Sequence, residues 1–250
     1  MVINSMKYRD ISLVSVNKED ILVIACDSCG GIGSKERDVV KVDPKIMGYY
    51  TTQVALMEVI AVGARPIAVI NPLSVEMNNT GKKILQGIKK AVNRVKTKGD
   101  IAINGSTEEN IPVVQTAMGL TVIGVMKKRD FNHSRTRLGD IAVVIGEPKV
   151  GEEVIEQGES GVFNLDMLQA LLKKDYVNEI LPVGSKGILY EIKEMARINC
   201  LNYKLYKNMP LDIEKTAGPS TCAIVSLKEH DVAKLLDDFD IPITPIAFFN

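Results

Sequence analysis

The densest run of reactive residue types is ACDSCGGIGSK, from Ala25 to Lys35. It follows the apolar run ILVIAC, which reads as a buried strand. Glycines at 30, 31 and 33 let backbone N–H groups approach an anion closely, and Lys35 adds a point charge. The pattern G-x-x-x-x-G-K-[ST] is absent, so this is not a Walker loop. A tight turn with a solvated lysine fits the composition equally well. Asp27, at the end of the strand, would repel a phosphate unless Mg²⁺ lay between them. Cys26-x-x-Cys29 has the spacing of a dithiol or of half a zinc site. A zinc site needs about four ligands, and Cys200, Cys222, His133 and His230 offer no second paired spacing. The expectation is therefore a Cys26 inside the core strand and a Cys29 that is a small loop residue. Two histidines in the chain also argue against a His-based triad.

Three further stretches could do chemistry. Glu58 has Val54, Ala55, Ala61 and Val62 three and four residues away, an apolar helical setting for a carboxylate. Such a group needs a cation or hydrogen-bond donors; a metal or ligand contact is one reading, an ion pair with Arg65 the other. INGSTEENIP (103–112) places Ser106, Thr107, Glu108, Glu109 and Asn110 after a strand, and small hydroxyls with paired acids suit Mg²⁺-phosphate contact. A polar surface turn has the same composition. PVGSKGI (182–188) opens a helix, where free N–H groups bind anions, or is an ordinary loop before one.

These stretches must be positioned by an apolar framework. ISLVSV (11–16), DILVIAC (20–26), PIAVINPLSV (66–75), DIAIN (100–104) and AMGLTVIGVM (117–126) read as strands. In 46–62, Ile46, Tyr50, Val54, Met57 and Ala61 make one apolar helix face that ends at Gly63, a left-handed cap, ahead of Pro66. In 80–97, Ile84, Ile88, Val92 and Val95 form a second stripe. The polar segment KKRDFNHSRTRLGD (127–140) marks a boundary. Beyond it lie IAVVIG (141–146), a helix over 164–174 capped by Asn164, EILPV (179–183), a helix over 188–199 and TCAIVSL (221–227). A capping box of Ser226 and Glu229 before KEHDVAKLLDDF and a final strand IPITPIAFF (241–249) follow. The mixed order predicts an α+β fold in two domains, 1–130 and 131–250.

The bulk numbers bound the rest. A chain of 250 residues, 46% hydrophobic and 25% charged, is ordinary for a globular protein. Lys plus Arg and Asp plus Glu both number 31, so no global field favours nucleic acid or an anionic membrane. The opening MVINSMKYRD lacks a signal-peptide pattern, and no apolar run reaches the roughly 20 residues that span a bilayer. Cytoplasmic localisation, with cysteines as thiols, is the expectation.

The order of the motifs along the chain resembles the superfamily of aminoimidazole ribonucleotide synthetase (PurM-like), thiamine-monophosphate kinase, selenophosphate synthetase and the carbamoyl-handling hydrogenase maturation ATPase. That family has an Asp-Gly-Val-Gly-Thr-Lys loop after a strand, and DSCGGIGSK occupies its place, so Asp27, Gly33 and Lys35 correspond. LMEVIAVGARP resembles the family's acidic helix ending in Gly-Ala-x-Pro, with Glu58 where the family has a metal-binding Asp. NGSTEE resembles its Gly-Gly-Glu/Asp-Thr loop: Gly105 and Thr107 match, Asn104 replaces a glycine, Ser106 replaces the acid, and Glu108 or Glu109 would supply the missing charge. VVQTAMGLTVIGVM, RTRLGDIAVVIGEP, PVGSKGILYEIKEMA and KTAGPSTCAIVSL resemble later family segments, so the likeness spans about residues 10–245. The second-domain Asp usual before the glycine pair is absent, with Val183 and Ser185 nearby. Cys26 and Cys29 lie inside the ATP loop rather than before it, which disfavours selenophosphate chemistry.

The short chain, ACDSCGGIGSKERDVVKV and INGSTEEN are most similar to the alpha-ribazole kinase branch. The resemblance implies a homodimer whose N-terminal sheets close a barrel, a ferredoxin-like C-terminal domain, ATP and Mg²⁺, and phosphorylation of the 5′-hydroxyl of alpha-ribazole, a nucleoside-like acceptor. It places metal on Asp27, Glu58, Glu108 and Glu109. It places the triphosphate on Gly30, Gly31, Gly33, Ser34, Lys35, Asn104, Gly105, Ser106 and Thr107, with Asp27 and Lys35 catalytic. No nucleic acid or membrane partner is implied. Another ATP-dependent kinase or ligase of the superfamily stays open. So does a nucleotide-binding module without catalysis, because of Ser106 and the missing Asp.

Overall fold

The computed structural model describes residues 4–131, 135–158 and 161–250. His133, weighed above as a zinc ligand, and the middle of the polar boundary segment lie outside the described residues. The chain divides into two compact units, Met1–Phe131 and Asn132–Asn250.

Unit 1 runs β1 (Ser5–Tyr8), β2 (Ile11–Ser15), β3 (Asp20–Gly30), β4 (Ile32–Gly33), β5 (Val40–Lys41), α1 (Pro44–Ala61), β6 (Arg65–Leu73), α2 (Lys82–Val92), β7 (Ala102–Thr107) and β8 (Ala117–Lys127). Its main sheet has the order β1-β2-β3-β8-β6-β7, with β6–β7 parallel and the other pairs antiparallel. β3 and β8 stay in register from Asp20↔Lys127 to Gly30↔Ala117. Because side chains alternate along a strand, Ile21, Val23 and Ala25 share one buried face with Met118, Leu120, Val122 and Met126. Helix α1 packs on β3 and β8, with Val59 against Gly124. The opposite face carries Val14, Leu22, Ile24, Ile123 and Val125, all half-buried.

The Asp43 carboxylate caps α1 by accepting from the Lys45 N–H (2.9 Å), and Pro44 starts it. Gly63 follows with φ +87°, as its sequence position predicts. The expected apolar face needs correction. α1 is buried almost all round, and Ile46, Tyr50, Val54 and Glu58, four residues apart, form its half-buried ridge instead. α1 and α2 cross at near backbone contact. A Cβ on Gly48 would lie 2.3 Å from the Ile84 carbonyl oxygen, and one on Gly87 2.0 Å from that of Lys45. α2 buries Ile84, Ile88 and Ala91 and stops at Val92, short of the expected residue 97.

Unit 2 runs β9 (Asp140–Gly146), α3 (Glu152–Gln157), α4 (Leu165–Leu171), β10 (Val177–Pro182), α5 (Gly187–Ile198), β11 (Tyr203–Leu205), β12 (Cys222–Lys228), α6 (Val232–Asp238) and β13 (Ile243–Phe249). The sheet order is β10-β12-β9-β13-β11, antiparallel throughout. Every residue of β9 is buried, which is why its sequence is a continuous apolar run rather than an alternating one. Ala142, Val144, Leu181 and Ile224 pack with Ile188, Ile192 and Met195 of α5 on one face. Asn164 caps α4 as expected, its Oδ1 accepting from the Asp166 and Met167 amides. The expected Ser226–Glu229 capping box does not form: pairing with β9 carries β12 on to Lys228, and Ser226 is buried within it.

Ser226 instead joins a buried polar cluster. The Thr136 hydroxyl lies 2.6 Å from Glu179 Oε2 and 2.8 Å from the Ser226 hydroxyl. Asn199 Nδ2 donates to the same Glu179 oxygen (2.8 Å), and the Thr136 N–H reaches Asn199 Oδ1 (3.1 Å). This fastens the start of unit 2 to its sheet. Among the described residues, no helix is long and apolar enough to cross a membrane.

Candidate functional site

The expected loop after β3 is largely strand. Asp27, Ser28, Cys29 and Gly30 continue the ladder opposite Leu120, Gly119, Met118 and Ala117. Two cysteines three apart on a strand point to opposite faces. Cys26 is exposed, its Sγ 3.2 Å from the Thr121 hydroxyl. Cys29 is half-buried on the other side, and its thiol is pushed up by burial against an opposing hydrogen bond from Thr51 on α1. The pair cannot form a dithiol or share a metal in this strand. Cys26 is thus not a core residue and Cys29 not a loop residue. All four cysteines are free.

Asp27 shares the face of Ala25 and Cys29. Burial pushes its carboxyl up from 3.8 to about 6, opposed by a hydrogen bond from the Ser28 backbone. It is a carboxylate with little to stabilise its charge. Leu120 lies opposite it. Ile70↔Thr121 and Leu73↔Met118 then set Asn71 opposite Leu120 on the far side, and Asn71 pairs with Gly105. Asn71 is 3% exposed and its Nδ2 has no hydrogen-bond partner. Gly105 makes room for it, since a Cβ there would lie 1.7 Å from Asn71 Oδ1. The glycine of NGSTEE therefore serves packing.

Past β3 the chain folds around Asp38. The Lys35 N–H donates to Asp38 Oδ2 (2.8 Å), the Thr116 hydroxyl to the same oxygen (2.6 Å) and the Thr116 N–H to Oδ1 (2.7 Å). Burial works against ionisation of Asp38, but these donors outweigh it and hold its carboxyl below the usual range. Gly33 is required here: a Cβ would meet the Thr116 hydroxyl at 2.4 Å. The Gly31 N–H donates to the Thr116 carbonyl (2.8 Å). The Gly31 amide expected in a phosphate cradle is thus spent within the chain, as is the Lys35 amide.

The Lys35 ammonium meets Glu76 Oε2 at 2.7 Å, with side-chain exposures of 15% and 35%. The Thr80 hydroxyl donates to Glu76 Oε1 (2.5 Å). Burial raises the Glu76 carboxyl, yet the bonds from Lys35 and Thr80 bring it below the ordinary value. Glu109 Oε1 accepts from the Thr107 hydroxyl (2.7 Å) and the Met77 N–H (2.8 Å), which lower its carboxyl. Glu108 caps its own loop, accepting from the Asn110 and Ile111 amides. Asn104 to Thr107 belong to β7 rather than to a loop. Asn104 and Ser106 stand on the exposed face, opposite to Gly105 and Thr107.

The four expected metal ligands do not gather within the chain. Thr51 reaches Cys29 while Val59 faces Gly124, opposite Val23. Glu58 lies two turns beyond Thr51, about 10 Å along the helix axis. Three strand spacings separate Asp27 from β7, about 14 Å. Among the described residues, no group of three or more His, Cys, Asp or Glu side chains could hold a metal ion. Asp27 has an under-stabilised charge that a cation would relieve, and among the described residues no three of these acids gather as one centre. The glycine-led turn before α5 is also partly filled: the Leu189 N–H donates to the Ile213 carbonyl (2.8 Å), and Gly187, at φ +79°, abuts the Glu214 and Lys215 carbonyls.

Asp38, Asn71, Glu76 and Thr116 escaped the sequence reading. Glu76 follows the end of β6, and an acid just past an apolar strand was the signal that could have found it.

Residues 8–126 match the family model of the AIR synthase related protein, N-terminal domain. Solved structures share the fold over 95–99% of the chain. The HypE–HypF complex structure aligns with TM-score 0.68 and 15% identity over 95% of this chain and 86% of that one. The fold is PurM-like. Thiamine monophosphate kinase from Aquifex aeolicus aligns at TM-score 0.64 and 15% identity over 98% and 89%. AaThiL complexed with AMPPCP and TMP aligns at 0.61 and 14% over 99% and 84%. No curated protein matches the sequence significantly.

Proposed function

We propose that this PurM-like chain is an ATP-dependent small-molecule kinase that takes Mg-ATP as substrate and transfers its terminal phosphoryl group to an alcohol. The acceptor in this reading is the 5′-hydroxyl of alpha-ribazole, giving alpha-ribazole 5′-phosphate; it rests on the resemblance of ACDSCGGIGSKERDVVKV and INGSTEEN. The fold shared with a kinase structure holding AMPPCP and TMP supports the donor.

The observation that carries the reading is Asp27. A carboxylate left half-buried within a strand is costly unless a cationic ligand relieves it. The magnesium of the nucleotide would supply that charge. Lys35 would neutralise phosphate oxygen, and Ser34 beside it would add a hydroxyl. Phosphoryl transfer is mostly positioning and charge neutralisation, so no strong base is needed. Product mass spectrometry after incubation with Mg-ATP and a nucleoside panel containing alpha-ribazole tests the reading. ATP consumed without alpha-ribazole phosphate points to another kinase or ligase of the superfamily.

A second reading, a nucleotide-binding module without catalysis, is favoured by the spent amides of Gly31 and Lys35 and the scattered acids. Calorimetric ATP binding with no turnover on the panel would establish it.

The same reading includes a homodimer. The apolar outer face of the β2-β3-β8 region, with Val14, Leu22, Ile24, Ile123 and Val125, suits burial against its copy to close a barrel. In unit 2, the order β10-β12-β9-β13 is that of two interleaved β-α-β units, which supports a ferredoxin-like domain. Free cysteines accord with a cytoplasmic setting.

A further inference from the structure

The geometry points to Glu76 as the positioning residue for Lys35. The inference rests on the proposed reading that Lys35 faces the phosphates of ATP, and it extends that reading to a residue no motif marked.

Lys35 is fixed at both ends by separate anchors. Its backbone is tied to Asp38, which Thr116 holds at the start of β8. Its ammonium is tied to Glu76, whose second oxygen is held by the Thr80 hydroxyl. Glu76 is held in turn. Its carbonyl accepts the Gly81 N–H at 2.9 Å, and the next residue, Met77, donates its N–H to Glu109 at the end of β7. Segments ending β3, β6 and β7 thus converge to place one ammonium group.

The chemistry explains the construction. A free lysine side chain carries rotamer entropy that is lost when it grips a phosphate. Pairing with Glu76 settles that loss on folding. An ammonium has three donors; Glu76 takes one of them, and the others remain for phosphate oxygens. Preorganised charge of this kind stabilises a transferring phosphoryl group better than a mobile cation does. The pair is only partly screened, since Lys35 is 15% exposed. Lys35, Glu76 and Glu109 together carry one net negative charge, so the site should prefer the magnesium complex of a nucleotide to the free tetra-anion.

The test is a double-mutant cycle on the full chain. Steady-state kinetics and calorimetric Mg-ATP binding are measured for wild type, Glu76→Gln, Thr80→Val, Lys35→Met and Lys35→Met/Glu76→Gln. Glu76→Gln should lower kcat/KM for Mg-ATP about tenfold with an unchanged melting temperature. Thr80→Val should give a smaller loss in the same direction. In the Lys35→Met background, Glu76→Gln should cost nothing more, which a merely structural role would not produce. Losses that multiply in the double variant, or a Glu76→Gln protein within twofold of wild type, overturn the inference alone. Tighter Mg-ATP binding by Glu76→Gln also overturns it, and marks Glu76 as a competitor for Lys35. A wild type that neither binds nor consumes Mg-ATP overturns the kinase reading and the inference with it.

Discussion

Asp27→Asn should make the protein more stable and inactive, and the gain in stability should depend on pH. Burial raises the Asp27 carboxyl from 3.8 to about 6. Below pH 3.8 the group is protonated in folded and unfolded chains alike and costs nothing. As pH climbs from there toward 6, the unfolded chain loses its proton first and stability falls. Above pH 6 the cost is complete. A gap of ~2.2 pH units at ~1.36 kcal/mol each comes to about 3 kcal/mol. Asparagine has the same shape and never ionises, so it removes that cost. At pH 8 the variant should melt higher by roughly 10 °C, given a few degrees per kcal/mol for a unit of this size. At pH 4 the two proteins should melt nearly together. Mg-ATP at ~100 times its Kd should nearly close that gap at pH 8, because it adds about 2.7 kcal/mol to the protein that binds it. Thermal melts at both pH values, with and without nucleotide, measure all of this. Equal melting at pH 8, or a gain of the same size at pH 4, refutes the burial argument. Near-normal ATP turnover by the variant removes Asp27 from the site.

Three further outcomes are expected. Gly87→Ala forces a methyl group to within 2.0 Å of the Lys45 carbonyl oxygen at the α1–α2 crossing, and should cost about 2–3 kcal/mol in urea denaturation. Thr136→Val strips a hydroxyl shared by Glu179 and Ser226, and should lower the stability of unit 2 by about 1–3 kcal/mol, read from its unfolding midpoint. Maleimide should label exposed Cys200 fast and buried Cys222 not at all. Cys26, on the face proposed to close a dimer, should label fast only on dilution; rapid labelling at every concentration counts against that interface.

The framework was legible because its strands and helices are written in apolar periodicity. β3, β6, β8 and α1 stand where hydrophobic runs put them. The site was read less well because pairing overrode local composition. Cys-Gly and Asn-Gly-Ser-Thr have the residues of loops, yet Cys29 and Gly30 pair with β8 and Asn104–Thr107 with β6. Extending a strand by those residues decides which face each side chain meets. That is why Cys26 and Cys29 diverge, and why Asn104 parts from Thr107. Glu76 was invisible for another reason. Its partner Lys35 is 41 residues away, and no spacing rule spans that distance. Gly33 and Gly105 were noticed for the right rarity and the wrong cause: each leaves space for a neighbouring polar side chain, Asp38 with Thr116 in one case and Asn71 in the other.

The cluster around Thr136 has a practical corollary for where this chain can be divided. Thr136 lies four residues ahead of β9, yet its amide and hydroxyl are interior donors to Glu179 and Asn199. A gene fragment that starts at the strand, at Asp140, would discard them, leaving Asn199 Oδ1 without its donor and Glu179 Oε2 with Asn199 Nδ2 in place of three donors. A fragment beginning before Arg135 keeps them. A protease acting after Arg137 would do the same damage from within, so nicking at that bond should read out as loosening of the sheet of unit 2, two strands away at β10.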